Sequence, residues 1–236
     1  MRSPFAILDE EWKIIDLRSF KFLALVGLFI FVGFLVIFHL TDIFDLAAVN
    51  SFHAIRGASL DGLMIAITVT GDVTTMFAVG IVLTIIRRTR RIGLTILISL
   101  VVTSVLLVYI KPLYGRPLPP YQFIPQIPLP DKFTLEQDVL GFTHSAYSFP
   151  SGHETRAVAF SFLVGFFLVR KYGLLGHFIW LYPLLIGISR LYLFAHYPTD
   201  LVGSAILGIL LANVIAKILK FDKSPAVVDT KFAKQQ

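Results

Sequence analysis

The sequence predicts an all-α integral membrane protein, a bundle of six transmembrane helices preceded by a short interfacial helix. Of its 236 residues, 56% are hydrophobic and only 15% are charged, with a mean hydropathy of +0.78, which is far more apolar than a water-soluble domain. Several apolar runs approach the roughly 20 residues that cross a bilayer. The basic residues that give the net charge of +6 cluster between these runs, a pattern typical of the positive-inside rule and not of a nucleic-acid-binding face.

The N-terminal third contains the first two predicted spans. Phe22–Phe38 is an uninterrupted apolar run with no small-residue cleavage site after it, so we expect a retained membrane anchor and not a cleaved signal peptide. Residues 7–17 mix apolar and charged side chains, which favours an interfacial helix before this span. The second span, Leu60–Ile86, is interrupted at Gly71-Asp72. The pattern leaves open whether residues 60–70 cross the membrane or lie at its interface.

Four further apolar runs complete the predicted bundle: Ile92–Ile110, Gly152–Val169, Leu174–Ile188 and Leu201–Ile218. Six spans place both termini on one side, and the basic clusters at 87–91, 170–171 and 217–223 face that same side. We therefore predict a multi-pass protein of the cell (plasma) membrane with cytoplasmic termini. Residues 1–220 are expected to form a single membrane domain, followed by a cytoplasmic tail over residues 221–236.

One long polar insertion separates the third predicted span from the fourth. It runs from Lys111 to Pro150 and holds eight of the twelve prolines, which favour extended backbone over helix. It is predicted to be an extracytoplasmic loop. The chain has no cysteine, which excludes disulfide bonds, thiol catalysis and thiolate metal sites.

Ser189-Arg190 and the segment from His196 to Asp200 surround the start of the last span. Pro198 suits the first turn of a helix, so His196 would precede that helix and Asp200 would lie one turn into it. The carboxylate could then accept a hydrogen bond from one ring nitrogen of His196, leaving the other as a nucleophile. An interfacial histidine and a simple capping aspartate fit the same spacing of four.

Pro150-Ser151-Gly152-His153 precedes the fourth span. Ser151 and Glu154 form a capping-box pattern that could simply begin a helix. The same geometry offers free backbone N–H groups and a positive dipole end to a phosphate group. Gly152 permits close backbone approach, and His153 could protonate a leaving oxygen. The two interpretations are compatible, and the sequence assigns no role to Glu154.

Six of the 21 Lys and Arg residues lie away from the predicted cytoplasmic side, and three of these six are Lys111, Arg116 and Arg190. Taken singly, each fits a side chain that snorkels to the membrane surface. Together they form an outer cluster that requires an anionic partner. The planar fork of arginine matches phosphate oxygens, and lysine adds a point charge.

The combined motifs resemble the type 2 phosphatidic acid phosphatase superfamily, which includes membrane lipid phosphatases, glucose-6-phosphatase and vanadium haloperoxidases. Its signature has three parts, Lys-x6-Arg-Pro, Pro-Ser-Gly-His and Ser-Arg-x5-His-x3-Asp. The second and third parts match fully. The first departs, because only four residues separate Lys111 from Arg116, and Tyr109 stands where the pattern places lysine.

The resemblance implies a role for each matching residue. His196 corresponds to the nucleophile that forms a phosphohistidine, Asp200 to the group that orients it, and His153 to the general acid. The implied phosphate ligands are Lys111, Arg116, Ser151, Gly152 and Arg190. The membrane phosphatases of the family work without metal, so we expect neither a metal ion nor another cofactor, and no obligate protein partner is evident.

A phosphate site at the outer face, reached from the lipid, predicts an amphiphilic substrate. The favoured prediction is a polyprenyl diphosphate such as undecaprenyl diphosphate, with phosphatidylglycerophosphate and phosphatidic acid as alternatives. A non-catalytic lipid-phosphate-binding protein is a more distant alternative. A transporter is disfavoured because the charges cluster at one face and no internal repeat occurs, and a haloperoxidase is disfavoured by the burial of the chain in a membrane.

Overall fold

The computed structural model describes residues 14–128 and 147–221, and within them the secondary structure is helical apart from one isolated bridge between Pro117 and Tyr147. The all-α prediction is confirmed. The helices are α1 (Phe20–Ile37), α2 (Asp42–Ala54), α3 (Ala58–Thr70), α4 (Val73–Ile85), α5 (Arg90–Tyr114), α6 (Gly152–Tyr172), a 3₁₀ helix (Gly173–Trp180), α7 (Leu181–Tyr192) and α8 (Pro198–Ile218).

Four helical stretches in this part of the chain are long and apolar enough to cross a bilayer: α1, α5, residues 152–192 and α8. A fifth is added if α3 and α4, which meet at an angle of 51°, form one broken span. The break coincides with the predicted interruption at Gly71-Asp72. The chain is thus a multi-pass membrane protein, while the count of six spans stays a prediction.

The stretch of residues 152–192 doubles back on itself. Ser161 Oγ on α6 donates to the backbone carbonyl of Ile179 at 3.3 Å, and Gly187 on α7 lies against the carboxyl group of Glu154 near the start of α6. Going along α6 from Glu154 to Ser161, the partners go back along the chain from Gly187 on α7 to Ile179 in the 3₁₀ helix. Therefore α7 packs antiparallel to α6, and Arg190 returns to the end of the bundle at which α6 begins.

The contact between α6 and α8 lies in the core of the bundle, and these two helices run parallel. The backbone N–H of Ser151 donates to Ser204 Oγ at 2.6 Å. One turn further along, the backbone carbonyl of Thr155 would lie only 2.7 Å from a Cβ atom on Gly208. Both helices therefore start at the same end of the bundle, in close backbone contact.

The opposite end of the bundle collects basic side chains. At this end, the side chain of Asn213 on α8 binds the backbone of Ile15. Its Oδ1 accepts the N–H of Ile15 at 2.6 Å, and its Nδ2 donates to the carbonyl oxygen of Ile15 at 2.9 Å. Arg90 begins α5, while Arg170 and Lys217 lie in the last turns of α6 and α8. The grouping follows the charge pattern of the sequence, and the assignment of this end to the cytoplasm stays a prediction.

The third predicted span is too short at its C-terminal end. Instead of ending at Ile110, α5 continues past Lys111 to Tyr114 and ends at Gly115, which has a left-handed φ of 59°. Pro112 is tolerated because it lies in the last turn, where it removes one hydrogen bond shortly before the helix stops. Lys111 therefore projects from a helix and not from the predicted loop.

The predicted N-terminal interfacial helix is not present in the part that the structure describes. Residues 14–17 are not helical, because Asn213 takes the backbone N–H and C=O of Ile15 that a helix would use. Residues 7–13 of that prediction lie outside the described residues. The same holds for residues 129–146 of the predicted outer loop and residues 222–236 of the predicted tail.

Candidate active site

The ends of four helices bring the three sequence motifs to one end of the bundle. The last turn of α5 carries Lys111, the first turn of α6 carries His153, and the last turn of α7 carries Arg190. Asp200 lies in the first turn of α8, and His196 immediately precedes that helix. Side chains from distant parts of the sequence thus lie at one end of the bundle, as the predicted topology requires.

His153 lies against charged groups on one side and against backbone on the other. Its imidazole is 8% exposed, and Nε2 has no hydrogen-bond partner among the residues described. Arg190, Lys111 and His196 are close enough to act on it electrostatically. On its other side, a Cβ atom on Gly71 would lie 3.5 Å from His153 Cδ2, so the break between α3 and α4 packs against the ring.

His196 and Asp200 face each other as predicted. Nδ1 of His196 lies 3.6 Å from Oδ2 of Asp200, slightly longer than a hydrogen bond, and both side chains are buried. The same oxygen of Asp200 accepts the backbone N–H of Tyr197 at 2.9 Å. Asp200 therefore caps α8 and faces the imidazole at once, and the role of His196 as a nucleophile stays a prediction.

The electrostatic surroundings favour a neutral imidazole at His196. Burial lowers the pKa of His196 below its ordinary value, the Asp200 carboxylate partly offsets this, and the positive charges of Arg190 and Lys111 lower it further. A neutral ring retains a lone pair on the nitrogen that does not face Asp200.

The start of α6 is tied to the first turn of α8. Ser151 Oγ accepts the N–H of Glu154 at 3.4 Å as the N-cap. The N–H of Ser151 itself donates to Ser204, whose hydroxyl donates to the carbonyl of Asp200 at 2.5 Å. Ser204 thus links the predicted phosphate-binding helix start to the helix that carries Asp200.

Two charged residues of α6 were not assigned to the site from the sequence. Arg156 is buried, acts on His153 electrostatically, and its Nη1 would lie 3.0 Å from a Cβ atom on Gly152. The sequence feature that could have identified Arg156 is its position four residues after Gly152, which places both on the same face of the helix. Glu154 is also buried but lies against Gly187 of α7, where its Oε2 has no hydrogen-bond partner within the described ranges.

Arg190 is almost completely buried, at 1% exposure. Its Nη1 donates to Thr68 Oγ1 on α3 at 3.3 Å, and its charge acts on both His153 and His196. The contact with Thr68 gives α3 a part in positioning the site that the sequence did not indicate.

Arg116 lies in a different environment from the other predicted phosphate ligands. Its Nη1 contacts Asp200 Oδ1 at 2.7 Å, and its Nη2 contacts Asp45 Oδ2 at 2.6 Å and Asp42 Oδ1 at 3.3 Å. The guanidinium also lies over the ring of Tyr197, 4.2 Å from its centroid. Burial opposes its charge, but Asp200 and Asp45 outweigh this and raise the pKa of Arg116. These partners are carboxylates, and the phosphate-binding role of Arg116 stays a prediction.

The first motif can be aligned with the signature from either of its cations. Counted from Lys111, the arginine position falls on Leu118 and is followed by Pro119. Counted back from Arg116, the lysine position falls on Tyr109, which is 69% exposed. Lys111 acts electrostatically on both histidines, which favours Lys111 as the lysine of the site.

Within residues 14–128 and 147–221, no group of three or more His, Cys, Asp or Glu side chains is arranged to hold a metal ion. The expectation that the protein uses neither a metal nor another cofactor stays a prediction.

Comparison with known sequences gives one family and two curated relatives. The model of the PAP2 superfamily matches residues 88–223, more than half of the chain. Phosphatidylglycerophosphatase B of Bacillus subtilis is 39% identical over 74 residues, covering 28% of this chain and 36% of the relative. Undecaprenyl-diphosphatase of Sulfolobus acidocaldarius is 30% identical over 152 residues, covering 64% of this chain and 66% of the relative. The chain thus spans about a third of the length of the first relative and just under two thirds of the length of the second.

Two solved structures share the fold. A transmembrane PAP2-type phosphatidylglycerolphosphate phosphatase from Bacillus subtilis superposes with a TM-score of 0.67 at 23% identity, over 88% of this chain and 99% of that structure. LpxE from Aquifex aeolicus superposes with a TM-score of 0.53 at 22% identity, over 74% of this chain and 95% of that structure. At these identities the likeness establishes the architecture of the membrane bundle.

Proposed function

This chain belongs to the PAP2 superfamily, and on that basis we propose that it is an integral membrane phosphatase that releases phosphate from a lipid phosphate or diphosphate through a phosphohistidine intermediate. The observation that carries the proposal is the pair of histidines: His153 and His196 come from different segments and are acted on by the same two cations, Lys111 and Arg190. Two imidazoles beside shared positive charges suit a nucleophile and an acid on either side of one phosphate group.

In the first step, the lone pair of the free ring nitrogen of His196 forms a bond to phosphorus. The bond between phosphorus and the leaving oxygen breaks, and His153 donates a proton to that oxygen. Lys111, Arg190 and the backbone N–H groups at the start of α6 stabilise the charge on the equatorial oxygens. Asp200 holds the imidazole of His196 in place and stabilises its positive charge.

In the second step, water attacks the phosphorus of the phosphohistidine. The now neutral His153 takes a proton from the water, the nitrogen–phosphorus bond breaks, and inorganic phosphate leaves. Both histidines return to their starting protonation states. The chemistry needs no metal, because preset cations and helix N–H groups supply the electrostatic stabilisation.

For the substrate we propose a polyprenyl diphosphate such as undecaprenyl diphosphate. Three cations, Lys111, Arg156 and Arg190, act on His153, and a diphosphate brings more negative charge to such a cluster than a monoester does. The relative aligned over the larger part of this chain is named undecaprenyl-diphosphatase. Phosphatidylglycerophosphate is the second candidate, supported by the name of the other relative, and phosphatidic acid is a third.

We also propose that the site lies on the extracytoplasmic side. The site occupies the end of the bundle opposite to Arg90, Arg170 and Lys217. In membrane proteins, Lys and Arg are enriched in the segments on the cytoplasmic side. The lipid headgroup would then enter the site from the outer leaflet.

The test is phosphate release by the purified protein in detergent micelles with a chelator present. We expect release from undecaprenyl diphosphate by the wild type, and His196→Ala should reduce kcat by about a thousandfold or more and abolish labelling of the protein from a ³²P-labelled substrate. His177→Ala is the matched control, because His177 lies in the 3₁₀ helix at the other end of the bundle, and it should retain full activity.

Three results would contradict parts of the proposal. Equal release by the wild type and His196→Ala would exclude an enzyme that uses this nucleophile. Activity only after addition of a divalent metal would exclude the metal-independent mechanism. Stoichiometric binding of the lipid without release would identify a binding protein.

A further inference from the structure

We infer that Arg116 and Asp45 form a buried clamp that positions Asp200 against His196, so that Arg116 acts as a positioning residue and not as a phosphate ligand. The inference rests on the proposed function and adds to it the part played by α2, which none of the sequence motifs includes. It is carried by the contacts of the guanidinium group and of the two carboxylates.

Both terminal nitrogens of Arg116 are engaged. Nη1 donates to Asp200 at 2.7 Å and Nη2 donates to Asp45 at 2.6 Å, distances that are typical of charge-assisted hydrogen bonds. Arg116 is 4% exposed, and both carboxylates are fully buried. If Arg116 turned to a phosphate group, at least one buried carboxylate would lose its cation, which is strongly unfavourable.

Asp45 is itself held by the helix that carries Asp200. Its Oδ1 accepts the backbone N–H of Thr199 at 3.1 Å and the hydroxyl of Thr199 at 2.9 Å. Its Oδ2 accepts the hydroxyl of Thr41 at 2.8 Å in addition to the contact with Arg116. Asp45 thus satisfies a backbone donor in the first turn of α8 and fixes the position of the guanidinium relative to that turn.

The clamp fixes the orientation of the Asp200 carboxylate. Arg116 takes Oδ1, which leaves Oδ2 for the N–H of Tyr197 and for Nδ1 of His196. The guanidinium also lies over the ring of Tyr197, the residue next to His196. A rotation of the carboxylate would break contacts on both oxygens, so the oxygen that faces the imidazole is held in place.

Asp45 also balances the charge of the clamp. Arg116 alone would neutralise Asp200 and weaken its attraction for a positively charged imidazole. With Asp45 included, the three buried groups carry a net charge of −1, to which the partly exposed Asp42 at 3.3 Å from Nη2 adds further negative charge, and this can stabilise the cation formed when His196 is phosphorylated. Asp200 is thus a carboxylate that faces a histidine and is itself held by further hydrogen bonds, as are the carboxylates that orient metal-ligating histidines.

Phosphate affinity and turnover separate the two roles of Arg116. A phosphate ligand contributes to the binding of inorganic phosphate, the product, whereas a positioning residue contributes to the reactivity of His196. The variants are Arg116→Gln, Asp45→Asn and the double variant, with Lys111→Gln as the reference for a lost phosphate ligand. The measurements are kcat on the lipid, the inhibition constant of inorganic phosphate, and the thermal shift that phosphate induces.

We expect Arg116→Gln and Asp45→Asn each to lower kcat by about ten- to a hundredfold, while the inhibition constant of phosphate changes by less than about threefold. Lys111→Gln should raise that constant by at least about tenfold. The double variant should lose no more than the more affected single variant, because the two residues act as a unit.

The matched control is Arg56→Gln. Arg56 is another arginine paired with a buried carboxylate, Asp61, at 3.2 Å, but it contacts neither Asp200 nor His196 in any bond that the structure records. The Arg56→Gln substitution should lower the melting temperature of the protein and leave kcat per folded molecule unchanged. A purely structural role of the clamp would make Arg116→Gln behave in the same way.

An inhibition constant raised in Arg116→Gln as much as in Lys111→Gln would make Arg116 a phosphate ligand and overturn the inference. Full kcat in folded Asp45→Asn would exclude Asp45 from the clamp. If either variant fails to fold, Arg116→Lys must still show a lowered kcat at unchanged phosphate affinity, because lysine keeps the charge but lacks the planar fork that directs one nitrogen to each carboxylate. Failure of the proposed function is distinct, since the wild type itself would then release no phosphate.

Discussion

At the scale of single residues, the protonation state of His196, the proposed nucleophile, depends on opposing effects of burial and charge. Burial and the cations Arg190 and Lys111 lower its pKa, while the Asp200 carboxylate raises it, and the net effect is a lowering. An imidazole with a lowered pKa remains neutral, and so nucleophilic, at a pH where an ordinary histidine is half protonated.

The pH dependence of kcat/KM should report this shift. Because His196, the proposed nucleophile, must be deprotonated to attack, activity is retained above its pKa and lost as the pH falls through it, so the acid limb should lie below the ordinary histidine value of about 6.5. Asp200→Asn removes the group that raises the pKa and should move the limb to still lower pH, besides reducing the rate. An acid limb above 6.5, or one that Asp200→Asn leaves in place, would contradict this assignment.

At the scale of secondary structure, the contact between α6 and α8 determines the relation of the two histidines, because α6 carries His153 and α8 follows His196. Glycines allow this contact. A Cβ atom on Gly208 would lie 2.7 Å from the backbone oxygen of Thr155 and 2.8 Å from Val158 Cβ. Backbone atoms of a helix cannot yield as a flexible side chain does, so the spacing of the two helices depends on the absence of a side chain here.

Gly208→Ala should therefore destabilise the protein by about 1–3 kcal/mol, as expected for overpacking, and should lower kcat as α6 and α8 move apart. Gly27→Ala is the control, because no atom outside its own helix lies within 4 Å of the added Cβ, and alanine is the better helix former. Thermal unfolding in detergent and phosphate release measure the two effects. A Gly208→Ala protein as stable as the wild type would show that the helices can adjust.

The break between α3 and α4 is a second element whose geometry serves the site. The 51° bend places Gly71 against His153, and Thr68 in the last turn before it accepts a hydrogen bond from Arg190. Thr68 and Gly71 are three residues apart and share one face at the end of α3, so this end of the helix contacts both Arg190 and His153. The interruption that the sequence indicates is thus part of the support for the charged residues.

At the scale of the whole molecule, the bundle has a basic end and an end that carries the site. The absence of cysteine makes this polarity directly measurable with single-cysteine variants. Leu118→Cys lies in the segment after α5 at the site end, and Arg88→Cys lies in the turn between α4 and α5 at the basic end; both positions are exposed. In intact cells, a membrane-impermeant maleimide should label position 118, and position 88 only after permeabilisation. The reverse pattern would place the site in the cytoplasm.

The sequence by itself determined the class of fold, the family and the motif residues, because these depend on local features. Apolar runs of membrane length predict helices wherever they occur, and short motifs identify His153, His196 and Asp200 without knowledge of their neighbours. The helix boundaries were less well determined where a distant residue intervenes. Residues 14–17 are not helical because Asn213, far along the chain, takes the backbone groups of Ile15.

Only the tertiary structure decided which charged groups face one another. Arg116 and Lys111 look equivalent in the sequence, yet Arg116 meets Asp45 and Asp200, which lie 71 and 84 residues away, while Lys111 acts on the histidines. A cationic side chain can pair with any anion within its reach, and the packing of α2, α5 and α8 determines which carboxylates lie within reach of Arg116. Local sequence patterns carry the periodicity of a helix but not the identity of its neighbours, so the residues that support the site emerged only once the helices were packed.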